Sequence, residues 1–208
     1  MNIGAIVLIG FLALLFTPFP RLLVAALFGR QIGNAALSRQ PDTIHLEPTD
    51  PASLRRANRV QAVTAEYLRS GFSDAGTFAI PEMRDVRVQL LVNTAESTYG
   101  TIYDHPAVGV WYDVVTRYND GGSSTFSSAR PTGLEPRPNS KVANLPGMEP
   151  GVLIQHARSQ RPNTGMLPAS SNNAVADFEQ AYADYMSWLK QRGITTHEVV
   201  EVARRKVA

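Results

Sequence analysis

Apolar side chains run without interruption over residues 3–16, and Thr17-Pro18-Phe19-Pro20 extends the uncharged stretch to 18 residues. As a helix this stretch would be about 27 Å long, close to the thickness of a bilayer's hydrocarbon core. The pattern predicts a single membrane-spanning anchor within residues 1–30, with Ile3, Phe11 and Phe16 in the span. Pro18 and Phe19-Pro20 should kink or end it, because proline lacks an N–H and disfavours helix at the residue before it. Arg21 then falls at the interface, where its long stem reaches the headgroups. No basic residue precedes the run, which disfavours a cleaved export signal. A buried helix is rarely apolar on every side for this length.

Residues 31–50 read as a linker with little periodicity. Asp50-Pro51 then opens a helix predicted to reach Ser70 and stop at Gly71. Leu54, Ala57, Val60, Val63, Tyr67 and Leu68 form its apolar stripe. Beyond it the period falls to two. "TFAIP", "VRVQLLVN", "STYGTIYD", "GVWYDVVTRY" and "SSTFSSA" are β-branched and aromatic runs separated by turn residues. In the second, Val86, Val88, Leu90 and Val92 share one face. In the fourth, Val110, Tyr112, Val114 and Tyr118 oppose Trp111, Asp113 and Arg117. Asp120-Gly121 is a hairpin signal, and connections this short predict antiparallel pairing.

Residues 130–150 hold five prolines and no period, so they read as a long extended arm. Val142, Leu145 and Met148 are its apolar anchors. A short helix over 151–161 follows, then a longer one striped by Val175, Phe178, Tyr182, Tyr185 and Leu189, with Asn173 as cap and Gly193 as stop. Thr195 and Glu198 form a capping box for a last helix, whose C-terminal end carries Arg204, Arg205 and Lys206. The expected fold is α+β. An anchor (1–30) and a linker (31–50) precede a domain over 51–165: one helix, then an antiparallel meander of about five strands. A C-terminal helical hairpin (166–208) packs on that domain.

Composition narrows the function. At 44% hydrophobic and 18% charged, the chain is not broadly disordered. The absence of cysteine excludes disulfides, thiolate metal sites and cysteine nucleophiles. Residues 61–130 carry five Arg against eight acids, so the sheet region is acidic and a nucleic-acid platform is disfavoured. Arg55, Arg56 and Arg59, near the anchor, are headgroup candidates.

No catalytic constellation stands out. His197 and Glu201 share a helical turn, yet no third ligand is marked, and capping already explains Glu198. His45, His105 and His156 are isolated. No Gly-x-Ser-x-Gly elbow, Gly-x-Gly-x-x-Gly or Walker-type loop is present. No cofactor or metal is expected. Trp111 and Tyr112 face opposite ways, so one of them should lie on a face left open to a partner. The expected function is a non-catalytic accessory or assembly subunit of a larger membrane complex, for example a respiratory or photosynthetic one. The alternative is a tethered enzyme or small-ligand sensor, with His156 or His105 in a pocket between sheet and C-terminal helices. Arg21, Arg30 and Arg39 follow the apolar run and no basic residue precedes it. That places the N-terminus outside an inner membrane and the domain in the cytoplasm.

Overall fold

All five strands expected from the period-two pattern form, and two more join them. The computed structural model of the chain describes residues 19–205. The strands are β1 (Glu47–Pro48), β2 (Ser73–Ala79), β3 (Arg87–Asn93), β4 (Thr98–His105), β5 (Gly109–Arg117), β6 (Ser123–Ser127) and β7 (Ser140–Asn144). They lie side by side in sequence order. Every pair is antiparallel except the last, β6 with β7. The sheet is therefore mixed and seven-stranded, not a purely antiparallel meander of five. The added strand β7 comes from within the proline-rich arm. Residues 128–139 connect β6 to β7, long enough for the crossover that a parallel neighbour requires.

The described helices are α1 (Phe19–Leu37), α2 (Ala57–Arg69), α3 (Pro150–Gln160), α4 (Ala174–Arg192) and α5 (Thr196–Arg205). The helix expected to open at Pro51 is interrupted. Asp50 caps a 3-10 turn over Pro51–Ser53, accepting from the Ala52 N–H at 2.7 Å. The chain then bends at Arg56, whose backbone N–H and guanidinium both bond the Asp104 carboxylate at 2.9 Å. A partner 48 residues away breaks what the local pattern would continue.

Ile3, Phe11, Phe16 and Pro18 of the expected anchor lie outside the described residues. Phe19 and Arg21 stand in the first described turn of α1, which runs on through Arg30, Gln31 and Asn34 to Leu37. Among the described residues, no helix is long and apolar enough to cross a membrane. The expectation of a single-pass membrane anchor is corrected accordingly. Pro20 lies within the described part of α1, which continues past it to Leu37. Residues 31–37 are helix, so the expected linker starts later.

The chain forms two compact units. One gathers α1, Thr132–Glu135 and the chain from Trp188 onward; the other comprises Pro41–Pro131 and Pro136–Ser187. In the first unit, α1 and α5 meet closely. A Cβ on Gly33 would come within 2.8 Å of Ile194 Cγ2, and one on Gly29 within 3.2 Å of Val199. Two glycines four residues apart let the helix backbones approach. The Asn34 side chain accepts from the Ile194 N–H at 2.8 Å. The capping box forms: Thr195 N–H donates to Glu198 Oε2 at 2.9 Å, and Glu198 N–H donates to Thr195 Oγ1 at 3.3 Å. Glu198 is 1% exposed and also receives Arg192 at 2.6 Å and the Glu135 N–H at 2.9 Å. Burial pushes its carboxyl up, but Arg192 and the two N–H donors outweigh that and hold it at about 2.

In the second unit both faces of the sheet are covered. Leu91, Ile102, Tyr112, Val114 and Phe126 pack with Val60, Val63 and Tyr67 of α2 and Leu153, Ile154 and Ala157 of α3. The close approach of α2 requires Gly100, where a Cβ would sit 2.5 Å from the Tyr67 ring. The opposite face sets Phe78, Val88, Leu90 and Val92 against Ile44, Leu46, Ala169 and Ala174, with Val175, Phe178 and Tyr182 of α4 alongside. Because both faces are filled, Leu91 is as buried as its neighbours. Gln89 and Asn93, on the face opposite Val88, Leu90 and Val92, are 5% and 3% exposed.

Candidate functional site

The sheet ends differently on its two sides. β1 has two residues, one of them a proline with no N–H to offer, and β2 beside it bulges where Ala75 is inserted between Asp74 and Gly76. β7 has five residues, "SKVAN", no proline within it, and no described strand pairs it on its outer side. The backbone pattern there can be read from one bond. Leu145 N–H donates to the Ser127 carbonyl of β6 at 2.7 Å. In a parallel ladder alternate residues bond the same neighbour, so Lys141 and Ala143 turn inward with Leu145. Ser140, Val142 and Asn144 then aim their backbone groups outward. The Ser140 N–H is occupied by the Arg137 carbonyl at 3.0 Å. Val142 is 50% exposed.

An open cleft of about 580 Å³ adjoins the start of this strand. Asn139, Ser140 and Lys141 line one wall, and Tyr118, Asn119 and Asp120 of the β5–β6 hairpin line another. The hairpin is the one expected: Gly121 has φ +77°, Gly121 N–H reaches the Tyr118 carbonyl at 3.1 Å, and Gly122 N–H reaches Asp120 Oδ1 at 2.8 Å. The Tyr118 hydroxyl reaches Ser124 Oγ at 3.2 Å and the Pro162 carbonyl at 3.3 Å. Ser140 and Lys141 of β7 thus belong to the cleft as well as to the strand.

Two strands inward lies a carboxylate of another kind. Asp113 on β5 stands between Thr101 of β4 and Ser127 of β6. The residue is half-buried, yet its Oδ1 is shielded from solvent and has no hydrogen-bond partner among the described residues. Burial pushes the carboxyl up to about 7, against a smaller downward pull from the Ser127 hydroxyl. Tyr103 and Trp111 stack beside it, ring centroids 4.6 Å apart and 10° from parallel, with Phe178 of α4 6.2 Å from Tyr103. Past Val115 on the same strand, Arg117 pairs with Asp177, which also accepts from the Tyr99 hydroxyl at 2.6 Å.

The residues marked in the sequence are scattered by the fold. Trp111 is half-buried against Tyr103. Tyr112 is 4% exposed and donates to the Met148 carbonyl at 2.5 Å. Leu145 and Met148 pack against the α2–α3 core, so of the arm's apolar anchors only Val142 stays open. Arg56 is committed to Asp104, Arg55 pairs with Asp85 at 3.2 Å, and Arg59 is exposed. His45 is exposed and meets Glu82 at 2.6 Å, which raises its pKa. His105 accepts the Ala107 and Val108 N–H groups at 3.1 Å in a turn, and His156 lies edge-on to Phe126. Neither lines the cleft. His197 is exposed, and Glu201 pairs with Arg204 at 3.0 Å. Among the described residues no group of His, Cys, Asp and Glu could hold a metal ion.

The burial of Asp113 and the strand state of β7 are not foreseen from the sequence. Asp113 occupies a polar slot in an alternating strand, which reads as solvent-facing. The chain matches no protein-family model, no curated protein and no solved structure.

Proposed function

We propose that the chain is a non-catalytic accessory or assembly subunit that works by protein contact, with β7 as its docking strand. The contrast between a blunted edge at β1 and an open one at β7 supports this. Unpaired N–H and C=O groups along an edge are a template for another strand, and proteins usually blunt such edges. Here one side is blunted and the other is not. The reading includes no membrane span.

The test is gentle native purification of the wild-type chain beside Val142→Pro. Because the Val142 N–H points outward, proline there removes a docking donor and leaves the bonds to β6 in place. The wild type should carry a stoichiometric companion, and the variant should lose it while keeping its urea-unfolding midpoint. A wild-type chain that travels alone and monomeric would refute the reading.

A second reading, a small-ligand sensor, draws on Asp113 and not on a histidine. A shielded carboxyl near 7 can hold or release a proton at neutral pH. Thermal-shift measurements with simple amines on wild type and Asp113→Asn test it. A ligand shift seen in the wild type alone favours it; one seen in both or in neither removes it.

A further inference from the structure

We propose that the strand docked on β7 is β7 of a second copy, paired antiparallel about a two-fold axis through Val142. This rests on the reading of β7 as the docking edge. Register selects this pairing. Ser140, Val142 and Asn144 present their backbone groups outward, and a two-fold axis at Val142 sets Val142 against its own image and Ser140 against Asn144. The Ser140 carbonyl then meets the Asn144 N–H. The Ser140 N–H, already used by Arg137, is not needed. About four backbone hydrogen bonds form, two at the axis and one at each end.

Side chains agree with this register. Lys141 falls opposite Ala143 and never opposite itself, so no like charges face each other. Each half-exposed Val142 gains an apolar neighbour of identical shape. The arrangement is closed, because a two-fold operation consumes both open edges. The sheet would continue across the axis, its blunted β1 edges at the two far ends.

The chain has no cysteine, so a single introduced thiol reports the geometry cleanly. Hydrogen-bonded antiparallel partners have Cα atoms about 5.5 Å apart, within the range a disulfide spans. Val142→Cys should therefore give a covalent dimer under mild oxidation. Lys141→Cys, whose images stand about 8 Å apart in this register, should cross-link at least about tenfold more slowly. Wild type should sediment as a dimer, and Val142→Lys, which sets two ammonium groups face to face, as a folded monomer.

Equal cross-linking of the two cysteine variants would overturn the register. A monomeric wild type, together with a Val142→Cys variant that forms no covalent dimer, would overturn self-pairing. If that monomer still purifies with a different protein and loses it in Val142→Pro, the docking edge stands and only the identity of its occupant was wrong. If it has no companion at all, both readings fall.

Discussion

The two sides of the sheet differ in what fills them. On the β1–β3 side, β3 is "RVQLLVN", six of its seven residues buried, packed on both faces and guarded by a proline and a bulge. On the β5–β7 side, β6 and β7 read "SSTFS" and "SKVAN". Small and polar residues surround Phe126, beside an edge that no described strand pairs and the Asp113 Oδ1, which has no hydrogen-bond partner among the described residues. One side concentrates the burial that holds the fold together. The other contributes less apolar surface and keeps its backbone and polar groups available. The difference argues that stability and interaction are divided across the sheet, so substitutions on the two sides should have different consequences.

The largest effect is expected on the filled side. Leu91, wholly buried, touches the α2–α3 core, and Leu91→Ala should cost about 2–5 kcal/mol in urea unfolding. A cost near zero would erase the distinction between the sides.

Asp113→Asn should act in the opposite sense. With its carboxyl raised from an ordinary 3.8 to about 7, the folded state holds a proton that the unfolded chain gives up. Wild-type stability therefore falls as pH rises from about 4 to 7, by up to about 4 kcal/mol at roughly 1.4 kcal/mol per pH unit. The asparagine variant should be more stable than wild type at pH 8 and equal to it at pH 3. A variant that is less stable at pH 8 would mean that Asp113 has a favourable partner.

Glu198 provides a buried carboxylate outside the sheet with the reverse sign. Held at about 2 against an ordinary 4.5, it contributes stability that is present above pH 4.5 and lost as pH falls toward 2. Glu198→Gln should cost up to about 3 kcal/mol at pH 7 and little at pH 2, followed by the Trp188 fluorescence that reports the Arg192–Trp188 contact. A pH-independent cost would point to packing instead of charge. The smallest effect is Val142→Ala, expected within about 0.5 kcal/mol of wild type in the dilute chain.

Much of the fold was legible from local pattern. The alternation over Val110, Tyr112 and Val114 places the buried face of β5 correctly, Asp120-Gly121 marks its hairpin, and Thr195 with Glu198 announces α5. Each of these signals depends on neighbours within a few residues. What was not legible is structure set from elsewhere in the chain. "SKVAN" has one β-branched residue amid a proline-rich arm and becomes a strand only because β6 offers its edge. The loss of solvent around Asp113 Oδ1 leaves no trace in spacing. The break before α2 depends on Asp104, far along the chain. Residues 19–37 resemble the end of a span in hydropathy, yet Arg30 and Asn34 make them an ordinary helix of the first unit.

Backbone amide exchange at β7, followed as the protein is diluted, tests the open edge most directly. Ala143, bonded to β6, is the internal reference. The account predicts that the Val142 and Asn144 amides are protected at high concentration and exchange freely when dilute, while Ala143 stays protected throughout. Protection of Val142 and Asn144 that is unchanged by dilution, or absent at every concentration, would contradict it.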